Sequence, residues 1–231
     1  MKVFLQLCAA TVMTLLLATQ AHAAGLADIT NKDAAAGLKE ALTKGSQAAV
    51  AALGRQDGFL KNERVRIPLP ESLHKVEGIM RSLGMGKYAD ELVTTMNRAA
   101  EAAVVEAKPL LVNAVKNMSV QDAKAILGGG EDAATQYFKR TTAAPLTSKF
   151  LPIVAKATQK VKLADKYNEF AGKGARFGLI DPKDADLNNY VTRKALDGLY
   201  LTIAEEEKKI RQDPVGAASS IISKVFGAIG K

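Results

Sequence analysis

Cysteine is almost absent from this chain: 231 residues contain one, Cys8. Beyond it there is no disulfide, no thiolate nucleophile and no cysteine metal site to consider. Tryptophan is missing altogether, and histidine occurs only at His22 and His74. One histidine past the first two dozen residues excludes a multi-histidine zinc site. It also excludes the doubled Glu-x-x-His motif of di-iron bundles, because Glu71 to His74 supplies one copy where two are needed. No metal and no cofactor are therefore expected. Aromatic residues make up 5% of the chain, which leaves few platforms for stacking bases, so nucleic acid is not an expected partner. The patterns G-x-S-x-G, H-E-x-x-H and G-x-x-x-x-G-K-[ST] do not occur. Ser72-Leu73-His74-Lys75 matches the S-x-x-K of penicillin-interacting serine enzymes, but neither S-D-N nor K-T-G follows it.

What the chain does have begins with a leader. Lys2 is a short positive start, Val3 to Ala18 an apolar stretch, and Ala21-His22-Ala23 a small-x-small cleavage site. Residues 1–23 are expected to be a secretory signal peptide removed after Ala23, which places the protein in the periplasm. Cys8 precedes most of the apolar stretch and so is not positioned for lipidation. No later apolar run approaches the roughly 18 residues that a spanning helix needs. Residues 24–231 are long enough for one domain with a large buried core.

Charge is distributed unevenly. The formal net charge is +8, and loss of Lys2 with the leader makes it +7. Residues 24–138 carry 14 basic and 14 acidic side chains, and residues 177–231 carry 8 of each. The whole excess lies in 139–176, where nine basic residues face only Asp165 and Glu169. A concentration of this kind is the electrostatic footprint of an anion-binding face.

Helical periodicity runs through the rest, and the expected fold is all-α, a single-domain multi-helix bundle of eight or nine helices. Thr30 and Asp33 have capping-box spacing before Leu38, Leu42, Ala49 and Leu53, with a stop near Gly54. Phe59 to Leu69 reads as extended, with Val65, Ile67 and Leu69 alternating. No second run offers it a partner, so it is read as a packed loop. Leu73, Val76, Met80 and Leu83 mark the next helix, ended by Gly84 and Gly86. Tyr88 to about Met118 is apolar around most of its circumference and is expected to be central, kinked where Pro109 leaves the carbonyl of Val105 without its amide. Ser119 and Asp122 form a capping box for a short helix closed by Gly128-Gly129-Gly130. A further helix opens at Glu131 and Asp132, whose charges would repel an anion from its free amides.

Pro145 suits the first turn of a separate helix through Val161, and Leu163, Tyr167 and Phe170 continue into another. From Asp184, Leu187, Val191, Ala195, Leu199 and Ile203 recur every four residues. This helix ends in the pairs Glu205 with Lys209 and Glu207 with Arg211, which read as a solvated end. Asp213-Pro214 precedes a last helix with Ala218, Ile222, Val225 and Ile229.

Several phrases together resemble one family. They are Ile67-Pro68-Leu69-Pro70, Met96-Asn97-Arg98-Ala99-Ala100-Glu101, Asp122-Ala123, Ile126-Leu127, Ala133-Ala134-Thr135-Gln136-Tyr137-Phe138, and Tyr190-Val191-Thr192 with Ala195-Leu196-Asp197-Gly198-Leu199. The chain is similar over nearly all of residues 24–231 to the domain-of-unknown-function family 4197. The resemblance implies an exported, predominantly helical bacterial protein and assigns no activity, ligand or catalytic residue.

Two groups of residues stand out as candidate sites. Asn97, Arg98 and Glu101 sit on a helix otherwise lined with Met, Ala and Val. Buried there, they must pair with one another or with another helix, and Thr135, Tyr137 and Arg140 are the expected partners. Such a cluster either fixes helix register or forms a pocket. The second group is an anion-docking face of Lys149, Lys156, Lys160, Lys162 and Lys166. The first three flank the stripe Leu146, Phe150, Ile153, Ala157 and Val161, with stems over apolar surface and ammonium groups outward. The leading expectation is a non-catalytic periplasmic binding protein meeting an anionic lipid, glycan or envelope protein through 139–176. The alternatives are a hydrolase or lyase around Glu101 with Arg98 and Tyr137, and a carrier of an apolar ligand between helices. Oligomeric state is not encoded in any pattern found.

Overall fold

A computed structural model describes residues 31–178 and 180–213. The leader, Thr30 of the first capping box and the helix expected after Pro214 lie outside the described residues. The described chain forms α1 (Asn31–Gly54), α2 (Glu71–Ser82), α3 (Gly86–Val104), α4 (Ala107–Lys116), α5 (Val120–Leu127), α6 (Ala133–Thr158), α7 (Lys162–Arg176) and α8 (Leu187–Gln212), with a short 3₁₀ turn at Pro182–Asp184. It is all-α, with no strand among the described residues.

The helix count differs from expectation for physical reasons. The rod expected over Tyr88 to Met118 is α3 followed by α4, interrupted at Val105 and Glu106. The interruption precedes Pro109, so the proline sits in the first turn of α4, where its missing amide breaks no bond. The segments expected as two helices on either side of Pro145 are one, α6, which contains both Pro145 and Pro152. Both prolines are exposed. Each removes an amide from the solvent face of the helix, where the freed carbonyls of Thr141 and Ser148 are open to water. With α3 and α4 taken as halves of one broken rod, the described residues hold seven helical units rather than eight or nine.

The core is built from α3, α6 and α8, which pack on one another, with α1 closing against α8 and α4. On α3, Leu92, Met96, Ala99, Ala100, Ala103 and Val104 are buried, so this helix is apolar on several sides as its composition predicts. The α6 stripe is turned by one residue from expectation. Leu146, Phe150, Val154 and Thr158 are buried, while Ile153 and Ala157 are only partly covered. Ser119 and Asp122 form the expected capping box on α5. On α8, Asp186 rather than Asp184 is the cap, accepting from the amide of Asn189 at 2.8 Å.

Residues 55–70 link α1 to α2 without strand pairing. Residues 56–61 and 63–65 are turns, and only 66–70 run extended. Val65, Ile67 and Leu69 point inward and Arg66 and Pro68 outward, which is the expected alternation. Phe59 is fully buried and lies against a notch in α8 at Gly198. A Cβ at Gly198 would stand 2.8 Å from the Phe59 ring and 3.2 Å from Val65. Gly58 is as constrained, since a Cβ there would fall 2.4 Å from the carbonyl oxygen of Leu53.

Candidate functional site

The polar set on α3 is brought together, but around the 55–70 link rather than around α6. Asn97 is fully buried. Its Oδ1 accepts from the Ile67 amide at 2.8 Å, and its Nδ2 donates to the carbonyls of Ile67 at 2.9 Å and Val93 at 2.8 Å. One carboxamide thus gives an extended residue both bonds that a neighbouring strand would have supplied, which is why the alternating stretch needs no sheet. Glu101 is 5% exposed. One of its carboxylate oxygens accepts from the amides of Phe59 at 3.1 Å and Leu60 at 3.2 Å, and the other from Arg98 Nη1 at 2.6 Å. The Arg98 guanidinium reaches on to Asp57 at 2.6 Å. Asp57 has φ 65°, in the left-handed region that an aspartate tolerates better than most side chains. Lys61 and Arg98 beside it hold its carboxyl below the usual carboxylate range. Glu101 and Asp57 in turn hold the Arg98 guanidinium protonated.

Thr135, Tyr137 and Arg140 lie elsewhere, and none of them meets Asn97, Arg98 or Glu101. The reason is that backbone amides of the link, invisible as partners in a residue pattern, take the acceptors first. Tyr137 donates to the carbonyl of Ala114 at 2.7 Å, and burial pushes its hydroxyl pKa up. The Arg140 guanidinium lies 5.5 Å from the centre of the Tyr137 ring and 3.4 Å from Asp122. Tyr137 and Arg140 line an open cleft of about 370 Å³ between α4, α5 and α6, together with Asn113, Asn117 and Asp122.

Thr135 belongs to an arrangement that sequence reasoning missed. Glu207 is 5% exposed, not part of a solvated end. Its carboxylate accepts from the amides of Ala134 at 3.0 Å and Thr135 at 2.9 Å, and from the Thr135 hydroxyl at 2.9 Å. Arg211 pairs with it at 2.9 Å and donates to the carbonyl of Ile126 at 3.0 Å. A side chain of α8 therefore caps the N-terminus of α6 and ties down the end of α5. Asp132, the local cap residue, makes no side-chain cap bond. The signal was present: the four-residue stripe from Leu187 to Ile203 continues onto Glu207 and Arg211. The neighbouring Glu205 pairs with Arg64 instead of Lys209, and Lys209 pairs with Glu206.

Lys149, Lys156, Lys160, Lys162 and Lys166 are all exposed. Lys166 stands 3.6 Å from Glu169, whereas no ion pair occurs for the other four among the described residues. They occupy the outer side of α6, the α6–α7 turn and the start of α7.

No group of three or more metal-ligating side chains is assembled among the described residues, and no described helix is long and apolar enough to cross a membrane. Glu101 lines neither the cleft at Tyr137 nor the open depression around Arg55, Asp57, Lys61 and Arg64. Its oxygens are committed to two amides and a guanidinium. The apolar cavity beside Leu38, Leu42, Ile126 and Ile210 amounts to about 10 Å³. That is at the threshold for a single water and far too small for an apolar cargo.

The molecule is thus a helical bundle in which the buried Asn97, Glu101 and Glu207 are spent on backbone groups of neighbouring segments. It belongs to the DUF4197 family, described as a protein of unknown function, the match spanning residues 28–227. No curated protein and no solved structure matches it.

Proposed function

We propose that this is a non-catalytic docking protein of the periplasm, exported and cleaved after Ala23, its residues 24–231 forming one domain. It meets an anionic component of the cell envelope through the basic face of residues 139–176. The observation that carries this reading is the row of exposed lysines, Lys149, Lys156, Lys160 and Lys162, which have no ion-pair partner among the described residues. Four unneutralised ammonium groups on α6, the α6–α7 turn and the start of α7 create a positive field on an otherwise charge-balanced chain. The commitment of Glu101 and Glu207 to backbone amides supports binding over catalysis.

The test recovers the protein from the periplasmic fraction. Its intact mass checks cleavage after Ala23, and its co-sedimentation with isolated envelope is then measured. Wild-type protein should sediment at low salt and be released at high salt, since exposed charges are screened over about 10 Å at 0.1 M. Protein carrying Lys149→Gln, Lys156→Gln and Lys160→Gln should stay in solution. Equal sedimentation of that variant would refute the reading.

A further inference from the structure

The open cleft between α4, α5 and α6, about 370 Å³ in volume, is lined by polar groups that the fold itself leaves unused. Asn113 and Asn117 stand one turn apart on α4, so both carboxamides look out from one face of that helix. Both are exposed, and neither side chain makes a hydrogen bond among the described residues. On the opposite wall, α6 supplies Arg140, Thr141 and Pro145. Pro145 has no amide hydrogen, so the carbonyl of Thr141, one turn earlier, lacks its helical donor and is open to accept. The Arg140 guanidinium hydrogen-bonds Asp122 alone, at 3.4 Å, and its side chain is 65% exposed. Two facing helices therefore present free donors and free acceptors to the same space.

Their arrangement selects the ligand. Asp122 and Arg140 are the only charged residues lining the cleft among the described residues, and they are of opposite sign. An ion gains little there, whereas an uncharged group with both N–H and C=O can use every partner. Four residues of helix advance about 6 Å, and two residues of extended chain about 6.7 Å. Asn113 and Asn117 are thus spaced to meet alternate residues along one edge of a strand. The molecule already makes this pairing internally: Asn97, also on a helix, serves the extended Ile67 at both its amide, 2.8 Å away, and its carbonyl, 2.9 Å away. A sugar, the other uncharged ligand rich in donors and acceptors, finds no open aromatic face to lie on, because Tyr137 is 4% exposed. A strand finds Leu110 and Pro145 on the two walls to receive its side chains.

We infer that this cleft docks an extended peptide segment of a partner protein. Asn113 and Asn117 pair with one edge of its main chain, and the Thr141 carbonyl and Arg140 guanidinium pair with the other. Main-chain bonds supply the affinity, and small apolar side chains at alternate positions fit the walls. The row Lys149, Lys156, Lys160 and Lys162 takes no part, so this site and the basic face stand or fall separately.

The probe is an acetylated, amidated hexapeptide of alternating serine and valine, titrated into the isotope-labelled exported protein. Nuclear magnetic resonance follows the side-chain amide signals of Asn113 and Asn117, which should move saturably. An analogue with esters in place of the internal amides has no N–H to donate and should bind about tenfold more weakly, the worth of one or two net hydrogen bonds. Asn113→Ala combined with Asn117→Ala should abolish binding and leave the circular dichroism unchanged, since neither side chain supports the fold. Unmoved asparagine signals at millimolar peptide would overturn the proposal. Equal binding of the ester analogue, or undiminished binding by the double variant, would do the same. Movement of these signals by a chitin oligosaccharide and not by the peptide would make the cleft a sugar site and defeat the peptide assignment.

Discussion

Removing the Glu207 carboxylate should destabilise the whole bundle, although neither α6 nor α8 loses any hydrophobic contact. In Glu207→Ala, the amides of Ala134 and Thr135 lose the carboxylate they donate to at a buried helix start, and Arg211, whose side chain is 15% exposed, loses its bonds to that carboxylate. A hydrogen bond to a charged acceptor is worth about 1.5–3 kcal/mol, and breaking a buried ion pair about 3–5 kcal/mol. These describe the same carboxylate and are not summed, and the partial exposure of Arg211 lowers the second, so a loss of about 3–5 kcal/mol is expected. In a domain of this size that is roughly 10 °C in Tm. Glu207→Gln, which keeps one acceptor oxygen but turns a carboxamide NH2 donor toward the N–H groups of a backbone amide or a guanidinium, should lose roughly half as much. Urea unfolding followed by circular dichroism gives the free energies, with the exposed pair partner Lys209→Ala as a control expected within about 0.5 kcal/mol of wild type. Hydrogen exchange at Ala134 and Thr135 should accelerate selectively. A Glu207→Ala loss below 1 kcal/mol would show that water caps α6 as well as the carboxylate does, and would refute the reasoning.

Gly198→Ala should destabilise by about 1–3 kcal/mol, because the new methyl meets Phe59 at 2.8 Å and overpacking outweighs the better helix propensity; an increase in the urea midpoint would contradict the notch. Stability should fall on acidification below about pH 4. Asp57 beside Lys61 and Arg98, Asp90 beside Arg81, and Asp122 beside Ser119 all have lowered folded-state pKa values. The stability they contribute is present above their unfolded values and disappears as pH falls through the lower folded ones. Replacing all three by Asn should flatten this acid limb, and an unchanged slope in urea midpoints between pH 4 and pH 2 would rule it out.

Periodicity alone carried most of the fold. It located α1, α2, α5 and α8 and the apolar girth of α3, because burial repeats every three or four residues wherever a helix lies on a core. It failed where two local signals compete with one long-range one. Pro145 looks like a helix start, yet the stripe Leu146, Phe150, Val154 and Thr158 is buried continuously with Leu187 and Leu199 of the packed core, and burial carries the helix through both prolines. Glu207 looks like half of a surface pair by spacing to Arg211, yet it sits on the core stripe and has a helix start opposite. For the candidate cluster, burial of Asn97 and Glu101 was legible from their apolar neighbours. Their partners were not, since Ile67, Phe59 and Leu60 offer main-chain groups that every residue possesses. Exposure of the lysines was legible, but exposure of Ile79 and Leu83 was not, because a stripe in sequence does not say whether anything packs on it.

The link between α1 and α2 has its seat assembled from the far end of the chain. Pro68 is reached by the Tyr190 hydroxyl across 122 residues, and Phe59 waits for the gap at Gly198. Translation delivers the plug long before the socket. Until the last long helix emerges, this stretch has no home for its aromatic ring, and a chain cut short before Tyr190 lacks both the hydroxyl that reaches Pro68 and the notch that receives Phe59.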